Sequence, residues 1–118
     1  MPRVFGYQVT SADTLYGPIA LADNQSSATS TGVSFSLAST QYVQLQYGLL
    51  RNGSAVTGHL LITTDGTNVT LSNDDVETAA LGITFSASVS GGVIYLNYTS
   101  TATGYSTAMT YYQKAWQN

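Results

Sequence analysis

The sequence predicts an all-β domain, an antiparallel β-sandwich or jelly roll of about seven to eight strands. Three observations predict it. Apolar and polar side chains alternate at period 2 over most of the chain, as in strands with one buried face. Gly, Asp and Asn turn signals recur about every 8–12 residues. Helical periodicity is nearly absent.

Residues 1–20 break the alternation, with Pro2, Pro18 and a polar middle, and are expected to form an N-terminal arm or a first strand ahead of a β-domain over 21–118. In "GVSFSL", Val33, Phe35 and Leu37 share a face. In "YVQLQYGLL", Val43, Leu45, Tyr47 and Leu49 face one way and Tyr42, Gln44 and Gln46 the other. "VTGHLLITT" continues the pattern, and "DGT" at 65–67 is a hairpin signal leading into "NVTLS". "NDDVETAA" is the one segment expected to turn helically, capped by Asn73 or Asp74, with Glu77 reaching back. "ITFSASV" sets Ile83, Phe85, Ala87 and Val89 on one face, "SGG" turns the chain into "VIYLNYT", and "TAMTYYQKAW" is the last strand.

At 118 residues the chain is long enough for a single core. Charged residues are 8% of it, against about 25% in an average soluble domain. So few charges do little to keep copies apart, which favours a surface covered by further copies or by a larger assembly. A net charge of −3, with Arg3, Arg51 and Lys114 far apart, argues against nucleic acid. No apolar run is long enough for a membrane span, and the absence of cysteine excludes disulfides and thiolate metal sites. Folding in a reducing cytoplasm is expected. Asn24, Asn52, Asn68 and Asn97 open Asn-x-Ser/Thr triplets, which a chain so rich in Ser and Thr produces by chance.

Catalytic signals are thin, and the expectation is no enzyme, no cofactor and no metal. His59 is the lone histidine, mid-strand, with no G-x-S-x-G elbow to present a nucleophile; it is expected to be a half-buried, hydrogen-bonded structural residue. Asp74, Asp75 and Glu77 lack the Gly and alternating oxygen ligands of a calcium loop and are expected to be a solvated loop with a helix cap. Half of the Tyr, Phe and Trp side chains are expected in the core. Tyr105, Tyr111, Tyr112 and Trp116, with Arg3, Phe5 and Tyr7 in the arm, are expected at a subunit interface or a contact with a larger assembly.

Several stretches together resemble a β-rich module of tailed-bacteriophage structural proteins, found in head decoration (cement) proteins and in distal tail-fibre domains. They are "DNQSSATSTGVSF" (Asn24 to Ser27, Thr31, Gly32, Val33, Phe35), Tyr47 and Arg51 in a Tyr-x-x-x-Arg strand, and "TGHLLITTDGT" (Thr57, Gly58, Leu60, Asp65, Gly66, Thr67). "GITFSASVSGGVIYLNYTSTATG" carries the most matches, from Gly82, Thr84 and Phe85 through Gly91 and Gly92 to Tyr98, Thr101 and Gly104. A Gly-Asp that often precedes this last stretch is here Ala80 and Leu81.

The resemblance implies a three-fold homo-oligomer with no active site. It implies a virion structural protein, a capsid decoration protein that binds the outer head surface through the major capsid protein and stabilises the shell. The short stretch ahead of the β-domain favours this over a fibre, which needs a shaft. The alternative is a trimeric receptor-binding head domain of a tail fibre that holds host glycans with exposed Tyr and Ser/Thr loops.

Overall fold

A computed structural model of the protein describes residues 14–118. Its eight strands are β1 (Tyr16–Leu21), β2 (Thr29–Ser36), β3 (Tyr42–Arg51), β4 (Ser54–Thr64), β5 (Val69–Glu77), β6 (Ile83–Ser90), β7 (Val93–Ser100) and β8 (Thr107–Trp116). All strand pairs are antiparallel and form two sheets, one ordered β1-β8-β3-β4-β5 and one ordered β2-β7-β6. The molecule is therefore a β-sandwich. Chain ends pair as in a jelly roll, β1 with β8 in one sheet and β2 with β7 in the other, whereas β3-β4-β5 run as a meander within one sheet.

The period-2 pattern sets which face is buried. On β3, Val43, Leu45, Tyr47, Leu49 and Arg51 point inward; on β4, Val56, Leu60, Ile62 and Thr64 do so. Phe35, Phe85, Ile94, Leu96 and Tyr98 meet them from the smaller sheet. The Tyr47 and Phe85 rings, 5.1 Å apart and edge to face, bridge the two layers. Gly91 and Gly92, with φ of 59° and 78°, supply the two left-handed positions that a tight β6–β7 hairpin requires.

Two expectations change. Residues 73–77 are not helical: they complete β5, with Asn73 opposite Leu60, Asp75 opposite Gly58 and Glu77 opposite Val56. Their acidic run resembles a helix start, but a ladder to β4 satisfies the backbone and outweighs a local cap. His59 is exposed on the outer face of β4, and among the described residues its ring has no hydrogen bond. Of the stretch expected as an arm or first strand, residues 1–13 lie outside the described residues, and β1 runs from Tyr16 to Leu21, with Ala20 paired to Ala108 and Leu21 to Thr107.

Candidate functional site

Two places in the sandwich concentrate its polar and apolar peculiarities. One is the loop end beneath β3. The alternation that buries Leu49 also buries Arg51, which is 4% exposed. A guanidinium there needs acceptors for its planar fork of donors. Nε donates to the Tyr105 carbonyl at 3.0 Å, Nη1 to the Leu81 carbonyl at 2.7 Å, and Nη2 to the Thr101 carbonyl at 2.7 Å and to Asp23 Oδ1 at 2.6 Å. Asp23 in turn accepts from the Thr103 amide at 2.8 Å and the Gly104 amide at 3.0 Å. The Thr103 amide contributes most to holding its carboxyl below the ordinary value; desolvation opposes it, and the Gly104 amide and Arg51 add to the lowering. Beside it, Ser100 Oγ donates to the Ala22 carbonyl and accepts from the Gln25 amide, while the Tyr98 hydroxyl accepts from the Ala22 amide.

The result is a node joining the β1–β2, β5–β6 and β7–β8 connections to the end of β3. Residues from three of the stretches that carry the sequence resemblance meet here: the β1–β2 segment, Arg51, and Thr101 to Gly104. A shallow open depression of about 140 Å³ lies against it, lined by Arg51, Asn52, Ser54, Ala80, Leu81 and Thr103. It sets no base beside a nucleophile. Among the described residues, no three His, Cys, Asp or Glu side chains gather as a metal site requires.

The other place is the outer face of the five-stranded sheet. The register sets Tyr112, Gln46, His59 and Asp74 in one row across β8, β3, β4 and β5. Leu61 and Lys114 lie in the next row on one side, Val76 and Gly48 in the next on the other. Strand alternation therefore splits the acidic run: Asp74 faces outward, whereas Asp75 and Glu77 lie on the inner side. There the Tyr47 hydroxyl donates to Asn73 Oδ1 at 2.8 Å and lies 3.5 Å from Asp75 Oδ2. Burial pushes the Tyr47 phenol up to about 12.

The expected interface residues fall in different places. Tyr112 and Trp116 belong to the outer face, Trp116 tilted against Tyr42 with centroids 5.5 Å apart. Tyr111 points to the inner side, stacked on Tyr16 at 5.3 Å; burial, then the Tyr16 phenol, raises its pKa. Tyr105 stands half exposed in the β7–β8 loop, giving its carbonyl to Arg51. Arg3, Phe5 and Tyr7 lie outside the described residues. Sequence reasoning missed the Arg51–Asp23 node, although the signal was present: an arginine continuing a run of inward positions must find buried acceptors.

No protein-family model and no curated protein matches the chain. Among solved structures, its fold is similar to the crystal structure of the Acinetobacter phage vB_ApiP_P1 tailspike protein, at a TM-score of 0.53 and 13% sequence identity. The match covers 98% of this chain and 25% of that one, so the chain spans a quarter of the tailspike's length.

Proposed function

We propose that the chain is a non-catalytic structural domain on the exterior of a tailed-phage virion, assembled as a homotrimer. The observation that carries this reading is the tailspike likeness, which runs through both sheets over 98% of the chain. The module resemblance read from the sequence points to the same class of particle. The surface supports assembly: charged residues are 8% of the chain, and Leu50, Leu61, Val76 and Trp116 stand exposed on one sheet face.

The reading places the domain on the tail side, as the head domain of a fibre or spike, where exposed Tyr105 and the Ser/Thr loops would meet host glycans. The second reading is a capsid decoration protein bound to the major capsid protein; the motif resemblance read from the sequence covers this class as well as tail-fibre domains. A domain of this size makes up a quarter of the tailspike chain, so the short stretch ahead of it does not separate the two. Copy number does. Quantitative mass spectrometry of purified particles, with immunogold labelling, is expected to give a few to a few tens of copies at the tail tip. Hundreds of copies over the head would establish decoration, and absence from particles would overturn both readings.

A further inference from the structure

We propose that the outer face of the five-stranded sheet is the contact between copies of this chain, turned toward a three-fold axis. This inference rests on the homotrimer reading above and specifies the surface that makes it.

Exposed apolar side chains separate the two broad faces of the slab, which measures 43 × 37 × 20 Å. Leu50, Leu61, Val76 and Trp116, between 42% and 74% exposed, all occupy strand positions on the outer face of the larger sheet. The outer face of the three-stranded sheet carries Ser34, Ser86, Ser88 and Tyr95 instead, and none of the exposed large apolar residues. Charge favours the same face: its strands present Asp74 and Lys114, of opposite sign, so two copies meet with no net repulsion. Relief favours it as well, because Gly48 lies between Thr57 and Thr110 in one row and leaves the surface low where another sheet would lie.

Size and symmetry select the occupant. Five strands spaced about 4.8 Å apart give a face about 19 Å wide, and nine residues at about 3.4 Å each make it about 30 Å long. Its footprint of about 600 Å² on each copy, shared between two neighbours, buries about 1,800 Å² over the three copies, within the roughly 1,200–2,000 Å² of a stable assembly interface. Three such faces close an equilateral prism whose walls stand about 5.5 Å from the axis, close to half the roughly 10 Å spacing of packed sheets. The side chains of three copies therefore fill the prism without a channel, and each face touches both neighbours. A cyclic trimer closes this heterologous contact.

The test combines two charge-bearing variants with one chemical probe, using the full chain. Light scattering on the wild type should give about 37 kDa, three times the 12.4 kDa chain. Thr57→Arg with Leu61→Arg, both at exposed positions of β4, should drop the mass to that of one chain while circular dichroism keeps its β signature. Ser34→Arg with Ser88→Arg, on the opposite face, should leave the trimer intact. His59 lies within the proposed contact, so diethyl pyrocarbonate should acylate its imidazole in the unfolded chain and spare it in the wild-type trimer. This readout needs no variant and decides the case if the arginine pair fails to fold. A folded face variant that remains trimeric, or a His59 that reacts freely in the trimer, overturns the face and leaves the trimer standing. A wild-type monomer overturns the trimer and the face together.

Discussion

Tyr47 and Arg51 stand four residues apart on the inner side of β3, yet the sandwich satisfies them in different ways. Arg51 is enclosed: three carbonyls from the β5–β6 and β7–β8 connections and a carboxylate from the β1–β2 connection surround its guanidinium. Tyr47 is as deeply buried, at 2% exposure, but its hydroxyl reaches past the covered core to Asn73 on the edge strand β5. The difference follows from what each group requires. A buried cation must have its charge compensated and its donors matched, so its partners come from several segments of chain. A phenol needs one acceptor and tolerates an open edge. The loop end is thus held by long-range polar closure, whereas the β5 edge is held by the ladder and one hydroxyl.

Arg51→Met should produce the largest loss. It strips donors from the Leu81, Thr101 and Tyr105 carbonyls, and denaturant unfolding should show a loss of about 3 kcal/mol, the low end for breaking a buried pair. A change within experimental error would mean that water replaces the guanidinium and that the end is open, like the edge. Asp23→Asn tests the same closure through pH. The Asp23 carboxyl is held below its ordinary value of 3.8 in the folded chain. Its ionised form therefore adds stability above that value, and the contribution fades as pH falls through the lower folded value. Stability should fall less steeply below pH 3.8 in the variant than in the wild type, with Asp65, also lowered by its Asn68 and Thr67 amides, contributing equally to both. Identical acid limbs would remove Asp23 from the closure.

Gly58→Ala probes the path by which Tyr47 reaches the edge. Gly58 pairs with Tyr47 on one side and Asp75 on the other, and a Cβ there would come within 2.8 Å of the Tyr47 hydroxyl and 2.7 Å of the Asp74 carbonyl. The backbone contact cannot be relieved by a rotamer change. Thermal melting should show a loss of about 1–3 kcal/mol, the usual cost of overpacking. An unchanged melt would mean that β5 shifts outward freely, making the edge looser than its ladder implies.

The contrast between these regions also explains what the sequence made legible. Alternation through β3, β4, β6, β7 and β8 was readable because each inward position there meets the opposite sheet. It failed at Asn73–Glu77 because the smaller sheet leaves that inner side uncovered, and the polar residues that an edge strand tolerates look locally like a helix start. Inward-facing Asp75 and Glu77 also discourage another chain from adding to the β5 edge, a requirement that periodicity does not reveal. Of the node, Arg51 was implied by its place in the alternation. Asp23 lies in the β1–β2 loop, 28 residues away, and no local pattern announces such a pairing. Tyr111 and Tyr112 show the same limit: the sequence makes both aromatic, and only the register sends one inward and the other out.

Tyr47→Phe carries the smallest expected effect and separates the edge from the node most cleanly. The ring and its contact with Phe85 remain, so near neutral pH the variant loses only the hydrogen bond to Asn73, about 1 kcal/mol. The pH dependence is more telling. Burial raises the folded Tyr47 phenol from 10.0 to about 12, so the native chain holds this proton where the unfolded chain releases it. A raised value contributes stability that is intact below the unfolded pKa and is lost as pH rises through the folded one. Wild-type stability should therefore fall between pH 10 and 12 by an amount that the phenylalanine variant escapes, and the gap between them should narrow across that window. Tyr111, also raised, is present in both chains and cancels. Urea unfolding at stepped pH measures the gap. If it stays constant, the Tyr47 phenol ionises alike folded and unfolded, and the β5 edge admits water as far as β3.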